Sequence, residues 1–188
     1  MRELEERILR DGRAIGERML RVDSFLNMRV DAELMLRIGG EFADFAREVR
    51  PDFVATAEAS GIAPAFATAL AARLPLVVFK KLPKPPEAGG YACARVRSYT
   101  KGTEYCLAVR DEYVREGERA LFVDDFLAEG EAALGAASII EGRGAIVAGV
   151  AIAIEKSFQS GRGKLDARGY AVRSLARVAR LSPTVEFL

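Results

Sequence analysis

Asp124 and Asp125 stand side by side after the apolar run Ala120-Leu121-Phe122-Val123, and Gly130 then opens the helix-forming stretch Glu131-Ala132-Ala133. Two carboxylates at the carboxyl end of a strand can accept hydrogen bonds from vicinal sugar hydroxyls. Backbone amides around a glycine turn, backed by the dipole of the following helix, can hold a phosphate dianion. Glycine suits that turn because the absence of a Cβ lets the chain come close to an anion. Strand, acid pair, glycine turn and helix therefore make up the layout of a ribose-phosphate site. Taken alone, the same order also describes a strand that ends in solvated aspartates ahead of an ordinary capped helix.

Other residues point the same way, each with a plainer alternative. Glu58-Ala59-Ser60-Gly61-Ile62-Ala63 is a serine-glycine turn that opens a helix, which suits an anion or a simple cap by Ser60. Lys80 and Lys81 follow the run Leu76 to Phe79, where two ammonium groups facing one cleft would balance a multiply charged anion, or form a solvated strand end. The chain has no histidine, which removes serine or cysteine nucleophiles activated by His and nearly removes zinc. A hard ion such as magnesium, bound through oxygen, stays open.

These groups need a scaffold, and the apolar pattern supplies one. Arg2 to Leu9 and Asp31 to Val49 have helical spacing, with Asp31 a cap for the second. Phe53 to Ala57 reads as a buried strand, followed by the serine turn, an alanine-rich helix through Arg73, and the strand Leu76 to Phe79. Tyr91 to Val96 and Glu104 to Val109 form two arms of a hairpin whose connector is polar. The strand Ala120 to Val123, a helix over Glu131 to Gly142, the strand Ile146 to Ile154 and a shorter one near Tyr170 to Leu175 complete the order. Alternating strands and helices predict an α/β fold with a mainly parallel sheet covered on both faces, and ligands on such sheets gather beyond the carboxyl ends of the strands. The turns after Ala57, Phe79, Val123 and Ile154 should share one cleft.

At 188 residues with no shift in composition, the chain is expected to form one domain, 1–188. Lys plus Arg number 28 against 27 Asp plus Glu, so no basic excess points to nucleic acid, and no apolar run reaches a membrane span. A charged N-terminus in place of an apolar leader predicts a cytoplasmic protein. Cys93 and Cys106 lie on facing strands and are expected to stay free thiols.

The stretch from Ala120 to Ala133 resembles the phosphoribosyl pyrophosphate (PRPP) motif of the type I phosphoribosyltransferases. The blocks Leu20 to Asn27, Ser60 to Pro64, Val123 to Ala128, Glu155 to Gln159 and Ser174 to Arg177 together resemble the bacterial xanthine phosphoribosyltransferases over nearly the whole chain. The resemblance implies a small N-terminal hood, formed mainly by about residues 1–30 with the C-terminal part, and a flexible hairpin loop that closes over the substrate. It also implies a homodimeric purine-salvage enzyme that joins PRPP and xanthine, with Mg2+ bound mainly through PRPP and pyrophosphate and no protein metal ligands assigned. Asp124, Asp125 and Lys101 take the catalytic positions, Lys101 within the loop Ser98-Tyr99-Thr100-Lys101. Ala128, Glu129, Gly130, Glu131 and Ala132 form the PRPP phosphate loop, and Ala59, Ser60, Gly61, Lys80 and Lys81 face pyrophosphate. Leu20, Asn27, Lys156 and Phe158 take the base: Asn27 both donates and accepts, Lys156 donates to a 6-oxo group, and Phe158 stacks on the purine.

The loop Ala128-Glu129-Gly130-Glu131-Ala132 departs from its relatives, which carry uncharged amide or hydroxyl residues at the positions of Glu129 and Glu131. A carboxylate about 4 Å from a phosphate charge opposes binding by around 4 kcal/mol at an effective dielectric near 20. The expectation is that backbone amides still hold the phosphate while Glu129 faces solvent or an arginine, or that a cation compensates it. Two alternatives stay open: a PRPP-sensing regulator without transfer activity, and a phosphoribosyltransferase for another 6-oxopurine.

Overall fold

A computed structural model describes residues 1–98 and 103–188. Tyr99, Thr100, Lys101 and Gly102, and with them the expected loop lysine, lie outside the described residues.

Helix α1 (Arg2–Asp11) buries Leu4 and Ile8, one turn apart, against the sheet. Helix α2 (Ala32–Val49) begins where expected, because the Asp31 carboxylate accepts from the Leu34 amide at 3.1 Å and caps it. Its buried stripe of Leu34, Met35, Ile38, Phe42, Phe45 and Ala46 has the spacing of one helical face. Between the two helices the chain makes a small antiparallel ribbon, β1 (Arg13–Ile15) and β2 (Met19–Arg21), and a π-helical turn over Asp23–Asn27.

Beyond α2, β3 (Phe53–Ala57) is buried at every residue and leads through the serine turn into α3 (Ile62–Ala72) and β4 (Leu76–Leu82). The hairpin β5 (Tyr91–Ser98) and β6 (Thr103–Arg110) follows, then β7 (Arg119–Leu127), α4 (Glu131–Gly142), β8 (Ile146–Lys156), α5 (Gly161–Ala167), β9 (Val172–Arg180) and β10 (Glu186–Phe187). These strands form an eight-stranded sheet in the order β10-β9-β8-β7-β3-β4-β6-β5. The central run β9-β8-β7-β3-β4 is parallel, and β6, β5 and β10 extend it antiparallel.

Side chains alternate across the sheet and feed two apolar layers. Val54, Leu121, Val123, Ala151 and Ala153 pack with α1, α2 and α3 on one face. Phe53, Ala55, Phe122, Val150 and Ile152 pack with α4 and Leu165 of α5 on the other. The chain leaves β3 toward β4 on one side and later returns to β7 on the other, so the strand order reverses between β3 and β7, whose strands stay parallel. In open α/β sheets that crevice is where ligands settle.

Strand ends differ from the expected ones because ladders persist beyond the apolar runs. β7 continues past Val123 as Asp124 pairs with Ile152 and Leu127 with Glu155, so the acid pair lies inside the strand. β4 continues because Lys80 and Lys81 pair with Ala108 and Leu107. The last parallel strand is Val172–Arg180, later in the chain than Tyr170 to Leu175.

Candidate active site

Because the acid pair sits within β7, successive side chains turn to opposite faces and the two aspartates have different surroundings. Both are nearly closed to solvent, 8% and 5% exposed for Asp124 and Asp125. Asp125 accepts from the Asn27 amide nitrogen at 3.1 Å and from the Ser60 hydroxyl at 3.0 Å. Those two bonds tie the N-terminal turn and the loop after β3 to one carboxylate. Asp124 accepts from the Asp125 backbone amide at 3.0 Å. Burial, then repulsion from Asp125, raises its pKa well above the ordinary carboxylate value, against the opposing charge of Lys81.

The approach of the β3 loop to this pair requires glycine. A Cβ on Gly61 would lie 2.4 Å from Thr56 Oγ1 and 2.5 Å from Asp124 Oδ1. Gly61 is also the N-cap of α3 and no side chain caps that helix, so Ser60 serves the acid pair and not the helix end. The peptide between Glu58 and Ala59 is cis.

The two lysines of β4 have different partners. Lys80 pairs with Glu58 at 3.0 Å, and Glu58 also accepts from the Lys81 amide at 2.8 Å. Burial works against ionised Glu58, but the Lys80 ammonium and the Lys81 amide outweigh it and lower its pKa. Lys81 lies 5.4 Å from the centre of the Tyr105 ring, and its charge reaches Asp124. Tyr105 itself is pushed up to about 12 by burial and by the charges of Asp124 and Glu131.

Lys156 ends β8 and reaches back to the N-terminal ribbon, donating to the Arg18 carbonyl at 2.9 Å. Its ammonium lies 5.3 Å from the Phe126 ring centre; burial lowers its pKa and Asp125 opposes the shift. Leu20 is buried in one apolar layer, whereas Phe158 is 38% exposed and belongs to neither. Directly before Lys156, Glu155 is fully buried and accepts from Ser174 at 2.6 Å, Ser157 at 2.7 Å, Arg162 at 2.9 Å and Arg177 at 3.2 Å. Burial alone would raise its pKa; the two hydroxyls and the Arg162 charge turn the shift downward.

The glycine turn after β7 adopts φ +83° at Gly130, the left-handed region, and α4 begins on it. Its two glutamates are held by the segment that leads into α5. Glu129 accepts from the Ser160 hydroxyl, and Glu131 pairs with Lys164 at 2.8 Å. The Lys164 ammonium also donates to the Glu129 carbonyl at 2.8 Å. Ser160 therefore takes the place of the solvent or arginine expected for Glu129, and the compensating cation belongs to Glu131. Sequence reasoning missed Glu155, Ser160, Arg162 and Lys164. The signal that could have found them is the run Ser160-Gly161-Arg162-Gly163-Lys164, short, basic and placed just after the end of β8.

No family model matches the chain. The chain is 47% identical over 189 residues to xanthine phosphoribosyltransferase 1 of Clostridium botulinum, covering 100% of both proteins. It is 48% identical over 181 residues to xanthine phosphoribosyltransferase of an Exiguobacterium species, covering 96% of this chain and 94% of that one. Among solved structures, adenine phosphoribosyltransferase of Thermoanaerobacter pseudethanolicus superposes with a TM-score of 0.69 at 27% identity, over 78% of this chain and 82% of that one. The Trypanosoma brucei enzyme shares the fold, with a TM-score of 0.77 at 17% identity over 93% of this chain and 79% of its own. The strand order and crevice are thus those of a type I phosphoribosyltransferase, and with nearly half its residues shared over full length, the chain belongs to the xanthine phosphoribosyltransferase family.

Proposed function

We propose that this protein transfers the phosphoribosyl group of PRPP to a ring nitrogen of xanthine, releasing pyrophosphate and forming xanthosine 5′-monophosphate. The observation that carries the reading is the convergence on Asp125 of Asn27 at 3.1 Å and Ser60 at 3.0 Å, with the Lys156 ammonium close enough to feel its charge. Base, ribose and pyrophosphate positions thereby meet around one carboxylate pair.

The reaction substitutes one bond at the anomeric carbon for another and needs no protein nucleophile, so the chain positions groups and balances charge. Asp124 and Asp125 accept from the ribose hydroxyls, and negative charge on the pair favours positive charge developing on the ring. The amides of Ala59, Ser60 and Gly61, with Lys81, face the departing pyrophosphate. Lys80 acts there through Glu58, whose carboxylate it holds at 3.0 Å. Residues 128–132 take the 5′-phosphate. Asn27 and Lys156 give up their present acceptors, Asp125 and the Arg18 carbonyl, for the oxo groups of the base, Phe158 stacks on the ring, and Leu20 packs behind it. Lys101, outside the described residues, keeps the catalytic position that the family resemblance gives it.

The residues fit a Mg2+ ion carried by the substrate. Among the described residues no group of three or more potential ligands forms a cage, while the two aspartates border the place where PRPP would lie. When bound, the ion would neutralise the diphosphate and ease its departure. The reading extends to one domain over 1–188 with a hood near residues 1–30, to a cytoplasmic homodimer, and to no nucleic-acid or membrane partner. No helix among the described residues is long and apolar enough to cross a membrane.

The deciding experiment measures pyrophosphate release from PRPP and Mg2+ with xanthine, guanine, hypoxanthine or adenine. Preference for xanthine is expected. Turnover with another base alone would discard the specificity and keep the mechanism, and silence with all four would leave a PRPP-binding regulator. Sedimentation velocity tests the dimer.

A further inference from the structure

An acidic phosphate loop needs a cation, and this loop receives one from a distant element. Lys164, 33 residues beyond Glu131, places its ammonium 2.8 Å from Glu131 Oε1 and 2.8 Å from the Glu129 carbonyl. The main-chain contact fixes the ammonium over the loop itself and keeps it from ranging over the glutamate side chain.

The backbone of α5 is seated to make this possible. The Gly161 amide donates to the Ala128 carbonyl at 3.0 Å, and a Cβ on Gly161 would come within 2.4 Å of that oxygen and 2.8 Å of the Gly130 nitrogen. At the next residue, Arg162 is anchored on the buried Glu155 at 2.9 Å. Lys164 thus projects from a segment registered on the loop by glycine contact and locked to the base-binding strand end. With its side chain 36% exposed, Lys164 is held yet still within reach of a ligand from solvent.

We propose that Lys164 is a binding residue for the 5′-phosphate of PRPP: it neutralises Glu131 in the free enzyme and shares its charge with the phosphate in the complex. The inference rests on reading residues 128–132 as the phosphate loop. It explains how Glu129 and Glu131 are tolerated in a loop that would hold a phosphate. Ser160 turns the Glu129 carboxylate aside, and Lys164 cancels the Glu131 charge.

The test is steady-state kinetics on Lys164→Met, Glu131→Gln and the double variant, with the melting temperature of each recorded. A carboxylate left unpaired beside a phosphate costs more than two orders of magnitude at an effective dielectric near 20, and screening at this part-exposed pair reduces that to about 10- to 100-fold. Lys164→Met is expected to raise the KM for PRPP by that factor, with kcat and the KM for xanthine changed less than about threefold. Glu131→Gln is expected to lower the KM for PRPP, because the ammonium is then released to the phosphate. The double variant should recover most of the loss.

A KM for PRPP within about threefold of wild type in folded Lys164→Met would overturn the proposal. So would a rise in both KM values that Glu131→Gln does not relieve, the pattern of a merely structural residue. Should Lys164→Met fail to fold, Glu131→Gln decides by itself, and a raised KM for PRPP counts against the proposal. Calorimetric titration with PRPP separates the two readings. Wild-type binding without turnover, weakened in Lys164→Met, would defeat the transferase reading alone. Absence of PRPP binding by the wild type would defeat both.

Discussion

Replacing Gly61 by alanine tests whether the close seating of the β3 loop holds the acid pair in place. The backbone is no obstacle, since Gly61 has φ −68° and ψ −16°, which alanine adopts freely. The obstacle is space: the added carbon would sit 2.4 Å from Thr56 Oγ1, 2.5 Å from Asp124 Oδ1 and 3.1 Å from the Ala57 carbonyl. An ordinary carbon-oxygen contact is about 3.4 Å, so either the loop or Asp124 must retreat by roughly 1 Å. Overpacking of a buried site costs about 1–3 kcal/mol, and a misplacement of about 1 Å at a reacting centre costs on the order of 10²-fold in rate. Gly61→Ala is therefore expected to lose about two orders of magnitude in kcat/KM for PRPP, with a loss of melting temperature measured by calorimetry. Gly40→Ala, inside α2 with nothing within 4 Å of its new carbon, is the control. It should keep full activity and gain about 0.5–1 kcal/mol, the ordinary preference of a helix for alanine over glycine. Adding Thr56→Ala to Gly61→Ala removes one of the two tightest contacts and should return part of the loss. If Gly61→Ala keeps kcat/KM within threefold of wild type, the steric account of this site is wrong.

Three further outcomes follow from the same geometry. Asp124 has a raised pKa in the fold, so its stabilising contribution is complete below the ordinary carboxylate value and is lost as pH rises through the folded value. Asp124→Asn should melt higher than wild type at neutral pH, converge with it toward pH about 4, and lose activity; equal melting curves at every pH would refute the assignment. Glu155 has a lowered pKa, so its contribution is present above the ordinary value and fades as pH falls through the folded one. Glu155→Gln should cost about 2–3 kcal/mol at pH 7, below the range for a wholly buried broken pair because Arg162 and Arg177 reach water, and denaturant titration at pH 7 and pH 4 should show the penalty shrinking in acid. Lys156→Met should raise the KM for xanthine by about 10- to 100-fold, the worth of one charged hydrogen bond, and leave the KM for PRPP nearly unchanged; parallel rises in both would place Lys156 in the structure and outside the base site.

The core strands were legible in the sequence because a parallel strand buried on both faces leaves a continuous apolar run, as Phe53 to Ala57 does. So was the Asp31 cap, a local interaction set by a residue and the amide it accepts from. The ribbon β1 left no such trace, since every residue of Arg13–Ile15 is exposed, and α5 hides behind two glycines in Gly161–Ala167 that depress helix propensity. Residue types announced the acid pair, the serine turn and the lysine at the end of β8, and therefore the class of chemistry on offer. What each of them touches depended on register and packing. The sequence could not say that β4 continues through Lys80 and Lys81, or that Ser60 turns to Asp125 in place of its own helix. Nor could it say that Glu131 finds its cation 33 residues away. Composition and local spacing determine which groups are available, because they act through neighbours in the chain. Partner choice among those groups is non-local, decided by ladders that extend past their apolar runs and by glycines that let one backbone rest on another.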